Sequence, residues 1–141
     1  MANRYTGGCL CGAVRYEIDA EPMIAAHCQC RDCQRMTGAG HASFMAFPQA
    51  AIRLSGQLKS YEIKADSGHL ASRNSCIRCG SFVTGGSTAM PDATAIAAST
   101  LDDASAFAPQ MVIFASRGQP WDQLDPALPR FPAMPPLPVD A

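Results

Sequence analysis

Residues 76–80 read Cys76-Ile77-Arg78-Cys79-Gly80, and residues 9–12 read Cys9-Leu10-Cys11-Gly12. A Cys-x-x-Cys followed by glycine is a metal knuckle. The glycine turns the chain so that backbone amides face the sulfurs, and those amides stabilise anionic thiolates. One knuckle supplies two of the four soft ligands of a tetrahedral zinc site. A Cys-x-Cys at a strand end, with residues i and i+2 on the same side, supplies the other two. Cys9, Cys11, Cys76 and Cys79 are therefore expected to close one site joining the start of the chain to its middle.

Working outward, the remaining three of the seven cysteines fall within Cys28-Gln29-Cys30-Arg31-Asp32-Cys33. Three protein ligands and one open position is the pattern of a catalytic zinc site. Four plus three uses every thiol, and an odd count forbids a fully paired disulfide set within one chain. Three other arrangements stay open on spacing alone: disulfides between the groups, one structural zinc beside three ordinary thiols, and an iron–sulfur cluster.

The chain has 141 residues, 11 Lys+Arg against 12 Asp+Glu and a formal charge of -1. That balance argues against a nucleic-acid reader and against a polybasic membrane anchor. Hydrophobic residues at 48% and charged residues at 16% suit one folded domain. The start lacks the apolar run of a secretory signal. The longest charge-free stretch, the 17 residues from Met36 to Ile52, is shorter than the ~20 needed to span a bilayer and carries Gly38, Gly40, His41, Pro48 and Gln49. The expected compartment is the cytoplasm, where thiols stay reduced and clustered cysteines more often bind metal.

Short strands are expected at 13–18, 23–27, 43–47, 52–54, 58–63, 81–84, 94–98 and 111–115, separated by turn signals. In the first, Val14, Tyr16 and Ile18 share one face. A turn or two of helix is expected around Arg31 to Met36, and a short turn at Asp102-Asp103-Ala104. This is a mainly β pattern. Residues 1–120 form the expected zinc domain. Residues 121–141, in a region holding seven of the eleven prolines from Pro120 onward, form a Pro-rich tail, packed on the domain or partly disordered. Its candidate anchors are Trp121, Leu128, Phe131 and Leu137.

His27 adjoins Cys28 but points the other way in a strand, which favours a supporting or core role over ligation. His41 and His69 are lone. Glu17, Glu21 and Glu62 show no acid–base pairing, and no G-x-S-x-G, H-E-x-x-H or phosphate-binding loop is present.

Several stretches resemble one family in order. Tyr5-x-Gly7-Gly8-Cys9-x-Cys11-Gly12-x-Val14-Arg15-Tyr16 resembles the opening of the glutathione-dependent formaldehyde-activating enzyme family, which includes centromere protein V. His27-Cys28-x-Cys30-x-x-Cys33-x-x-x-Thr37-Gly38 follows. Next come Leu54-x-Gly56-x-Leu58-x-x-Tyr61, Ser67-Gly68, Arg73, and Cys76-x-x-Cys79-Gly80. Leu101-Asp102-Asp103 and Pro120-Trp121 resemble its closing segments. Ser75 stands where members often carry an aromatic residue. The resemblance implies a β-tent-like fold of short antiparallel sheets. It also implies a structural zinc on Cys9, Cys11, Cys76 and Cys79, and a second, catalytic zinc on Cys28, Cys30 and Cys33, two ions per chain.

The implied activity is a carbon–sulfur lyase or thiol-adduct enzyme. Its partners would be a small-molecule thiol, glutathione as co-substrate, and a small aldehyde such as formaldehyde. Arg31 and Arg35 flank the cluster and can pair with glutathione carboxylates, or serve as ordinary surface arginines. Three thiolates already leave a zinc site at -1, so thiol binding is more credible there than hydrolysis by bound water. Two rival readings remain: a non-catalytic, zinc-stabilised module that binds a thiol or a protein, with Pro135-Pro136-Leu137-Pro138 available as an extended ligand, and a metal-trafficking or redox-sensing protein.

Overall fold

The computed structural model describes residues 4–65 and 67–136. The strands are β1 (Arg4–Gly8), β2 (Arg15–Asp19), β3 (Ile24–Cys28), β4 (Ala42–Pro48) and β5 (Ile52–Ser55), then β6 (Leu58–Lys64), β7 (Leu70–Cys76), β8 (Phe82–Ser87), β9 (Ala93–Ala97) and β10 (Met111–Ile113). One α-helix, α1 (Arg31–Thr37), follows β3. The fold is mainly β, as the sequence predicts. No helix among the described residues is long and apolar enough to cross a membrane.

The chain forms two compact units, Met1–Ile24 with Phe44–Ala108 and Ala25–Ser43 with Pro109–Ala141. In the first, β1, β2 and β5 make an antiparallel sheet in the order β1-β2-β5. Burial alternates strictly along β2, with Tyr16 and Ile18 inward. Val14, Tyr16, Ile18, Met45, Phe47, Val83 and Ile96 are each at most 2% exposed and form the core of this unit. Each such side chain contributes about 1.5–3 kcal/mol on burial. A second antiparallel run orders β4-β9-β8-β7-β6. Its last strand, β6, is largely exposed and carries Lys59 and Lys64, charges that discourage edge pairing.

Two strands escape the sequence pattern. β1 contains Gly7 and Gly8, and β7 (Leu-Ala-Ser-Arg-Asn-Ser-Cys) lacks β-branched and aromatic residues altogether. Neither has much strand propensity of its own. β7 is extended because β6 pairs with it over seven residues on one side and β8 lies on the other.

In the second unit, β10 pairs with β3 in parallel, Met111 opposite Ala26 and Ile113 opposite Cys28. The pairing is therefore not antiparallel throughout: β10 is reached by a long connection, which parallel neighbours require. The proline-rich segment then runs along β10. The Val112 amide donates to the Pro129 carbonyl at 2.9 Å, and the Phe131 amide donates to the Val112 carbonyl at 2.9 Å. The prolines supply carbonyls here, and the single needed donor comes from Phe131. Leu128 and Phe131 are half-buried. Trp121 is not an anchor: it is 67% exposed. Its neighbour Asp122 docks instead, through Gln29 and His41. Leu137 and Pro138 lie outside the described residues.

Candidate metal centres

β1 delivers the chain into a turn formed by Cys9, Leu10, Cys11 and Gly12, where the Gly12 amide donates to the Cys9 carbonyl at 3.1 Å. The Cys-x-Cys thus sits in a turn after the strand, not within one, and its two residues differ in burial: Cys9 is buried, Cys11 exposed. Opposite them, Cys76 closes β7. The Gly80 amide returns to the Cys76 carbonyl at 2.9 Å, with Gly80 at φ +76°. A left-handed residue is what this turn requires, and glycine adopts it without a Cβ clash.

These turns bring four sulfurs within 4.8 Å of one another. Cys9 Sγ lies 3.6 Å from Cys11 Sγ, and Cys11 Sγ lies 3.8 Å from Cys76 Sγ. A tetrahedron with zinc–sulfur bonds of about 2.3 Å has an edge of about 3.8 Å, so the donor spacing and the soft donor chemistry both fit that ion. The Val14 amide donates to Cys9 Sγ at 3.2 Å and the Arg78 amide to Cys76 Sγ at 3.3 Å. Cys79 Sγ lies 3.2 Å from the Ser81 hydroxyl. That hydroxyl, with the Ser81 amide, holds the Cys79 thiol down at about 5. The Val14 amide lowers Cys9 as well. The Ala13 amide pulls the same way on Cys11, but desolvation and the surrounding sulfurs outweigh it and push that thiol up to about 11. Four thiols held this close resist ionising together unless a cation sits among them.

The second cluster is built by a strand end and a helix start. Cys28 ends β3, Cys30 caps α1 in extended conformation (φ −66°, ψ 157°), and Cys33 lies in the first turn. The Cys33 amide donates to Cys30 Sγ at 3.3 Å. The three sulfurs also lie within 4.8 Å of one another, Cys28 and Cys33 buried and Cys30 half-buried. The Cys30 and Cys33 sulfurs, and then burial, push the Cys28 thiol far up. This set offers three soft donors, a cation-ready group short of one ligand. None of the seven cysteines forms a disulfide.

His27 belongs to neither group. Its Nδ1 is 2.8 Å from the Ser43 hydroxyl, and its ring meets the His41 ring edge-on at 4.9 Å. Burial, then the neighbouring His41, lowers its pKa. His41 Nδ1 pairs with Asp122 at 2.9 Å. His69 is exposed, with Nδ1 3.3 Å from the Thr88 hydroxyl. Arg31 and Arg35 are both exposed on α1, and Arg31 Nη1 donates to Gln34 Oε1. Two motif residues that carry no sulfur form a clasp: Arg15 grips Asp102 through both nitrogens, and Thr6 also donates to it. Arg15, then Thr6, hold the Asp102 carboxyl down at about 2.

Sequence reasoning passed over Gln29, Gln34 and Asp122. Gln29 lies between Cys28 and Cys30 and Gln34 directly follows Cys33, at 2% and 5% exposure. The only signal for them is position, since glutamine is ordinarily a surface residue.

Compared with known families, residues 4–117 match the glutathione-dependent formaldehyde-activating enzyme profile. The chain belongs to this family. The match takes in all seven cysteines. A Rhodobacter sphaeroides protein known from a crystal structure shares the fold, with a TM-score of 0.58 at 18% identity, over 89% of this chain and 98% of that one. No curated protein matches.

Proposed function

We propose that the protein is a zinc-dependent thiol-adduct enzyme of the carbon–sulfur lyase type, acting on a glutathione–aldehyde adduct. The observation that carries this reading is the three-sulfur cluster of Cys28, Cys30 and Cys33, within a chain of the formaldehyde-activating family. Cys9, Cys11, Cys76 and Cys79 would hold a structural zinc, and Cys28, Cys30 and Cys33 the second. When bound at the second site, zinc would supply a place for an incoming thiol and lower its pKa.

The chain's own residues set the conditions. Cys30, the least buried of the three, marks the side open to a ligand. The Cys33 amide fixes the Cys30 sulfur and offsets its charge. Arg35, exposed on the last turn of α1, offers a cation to a glutathione carboxylate. Arg31 does the same with the guanidinium nitrogens not given to Gln34. In the adduct-forming direction, the thiol loses its proton and a carbon–sulfur bond forms to the aldehyde carbon. The carbonyl oxygen takes up a proton, giving an S-hydroxymethyl thioether from formaldehyde. The lyase direction reverses each change.

Elemental analysis of protein purified under reducing conditions should give close to two zinc per chain. Cys30→Ser should lose one and stay folded. Exchange spectroscopy of labelled formaldehyde with glutathione should show faster interconversion with wild type and none above background with Cys30→Ser. Glutathione binding without acceleration would instead favour the non-catalytic binding module.

A further inference from the structure

Among the described residues, three polar side chains are buried: Gln29, Gln34 and Thr84. Two of these adjoin cysteines of the second cluster in the chain, and the function proposed above uses neither. A carboxamide has two N–H donors and two acceptor lone pairs. Gln34 fills all four positions. Nε2 donates to the Gln29 carbonyl at 2.8 Å and to the Arg117 carbonyl at 3.0 Å. Oε1 accepts from Arg31 Nη1 and from Gln119 Nε2, the latter at 3.2 Å.

Gln29 is held by its main chain and its side chain together. Its backbone amide donates to the Ile113 carbonyl at 3.0 Å, and its Nε2 donates to Asp122 Oδ2 at 3.0 Å. Gly118 packs so closely that a Cβ there would lie 2.6 Å from Gln29 Oε1. Gln29 is covalently joined to Cys28 and Cys30, and Gln34 to Cys33. The backbone bearing all three sulfurs is thus tied through two side-chain amides to residues 117–122 of the same unit. If packing alone were needed, leucine would serve without the cost of burying an amide. If polarity alone were needed, a carboxylate would serve, but it would add charge beside three thiolates. A neutral amide gives donors and acceptors together.

We propose that Gln34, supported by Gln29 and Asp122, is a positioning residue that holds the Cys28–Cys33 loop ready for metal, and that the 117–122 segment thereby controls affinity for the second ion. This rests on the reading of that cluster as a metal centre. The test is zinc affinity by competition with a chromophoric chelator, in wild type, Gln34→Leu, Gln34→Glu and Gln119→Ala. The four-cysteine site in each protein serves as internal control, and cobalt(II) substitution reports the thiolate geometry. Loss of a supporting partner of a metal ligand typically costs about 10–100-fold in affinity. Gln34→Leu and Gln34→Glu should weaken the second ion by that factor and leave the first unchanged. Gln119→Ala removes one hydrogen bond at a half-buried residue. It should weaken the second ion a few-fold and shift the cobalt spectrum of that site. If the Gln34 variants fail to fold, Gln119→Ala decides alone. Unchanged second-ion affinity, or equal weakening of both sites, overturns the inference. Wild type holding a single ion overturns it together with the proposed function, whereas two ions in wild type with unshifted variants overturns it alone.

Discussion

Gly80 sits at φ +76° in the turn that returns the chain to Cys76, and a Cβ built there meets nothing within 4 Å. The cost of Gly80→Ala is therefore conformational only, about 1–2 kcal/mol for a left-handed alanine. Denaturant midpoints of the zinc-loaded proteins should show it; no difference would mean the turn is not left-handed. A second residue with a measurable signature is Tyr16. It is 2% exposed, and its hydroxyl lies 2.7 Å from that of Thr100. Burial pushes its phenol up to about 12. A phenol raised above its unfolded value, about 10, contributes stability that is whole below that pH and lost as pH rises through the folded value. Wild type should lose more stability than Tyr16→Phe between pH 10 and 12. Subtracting the alkaline absorbance titrations should leave one transition near pH 12. At neutral pH the same substitution should cost about 1 kcal/mol, one hydrogen bond, because Thr100 keeps its bond to the Ala97 carbonyl. The glycines and cysteines of the knuckles are legible in the sequence, since their roles are local. The buried state of Gln29 and Gln34 is not, because it depends on residues some 80 to 90 positions away.

Among the elements, β4 shows how an apolar run becomes stability, with Met45, Ala46 and Phe47 buried in succession. Met45 and Phe47 are at 1% and 0% exposure, and the Phe47 ring lies 5.3 Å from that of Tyr5. Phe47→Ala should cost about 3–5 kcal/mol, read from a denaturant curve. Leu54 on β5 is 37% exposed, so Leu54→Ala should stay within about 1 kcal/mol. A small effect at Phe47 would place the core elsewhere. β2, β4 and β6 announce themselves by side-chain pattern. β7 does not: Ala71, Ser72, Asn74 and Ser75 have no strand preference, and the strand exists because two neighbours pair with it. α1 is legible as a short helix after Cys30, but its role in carrying Gln34 to Gln29 and Arg117 is visible only once the 109–136 segment is in place.

At the scale of the molecule, each sulfur cluster lies within one unit: Cys9, Cys11, Cys76 and Cys79 in the first, Cys28, Cys30 and Cys33 in the second. Zinc held by four protein ligands should outlast zinc held by three. Titration with a chelator, followed by a zinc-sensitive dye and by circular dichroism, should release one ion with little spectral change. The longer-held ion, that of the four-cysteine site, should leave with loss of the β signal. Simultaneous release with unfolding would show that the two sites are not independent. What the sequence determines by itself is the chemistry: ligand type, ligand spacing and the turns between them are set within a few residues by covalent geometry, and so is the alternation of the stronger strands. What only the tertiary structure decides is long-range. It brings the sulfurs of 9–11 to those of 76–79. It sets β10 parallel to β3, turns Trp121 outward while Asp122 docks, and buries two glutamines beside the second cluster. Each of these is settled by which groups leave water together and find hydrogen-bond partners, and partners far apart in the chain leave no mark on the residues between them.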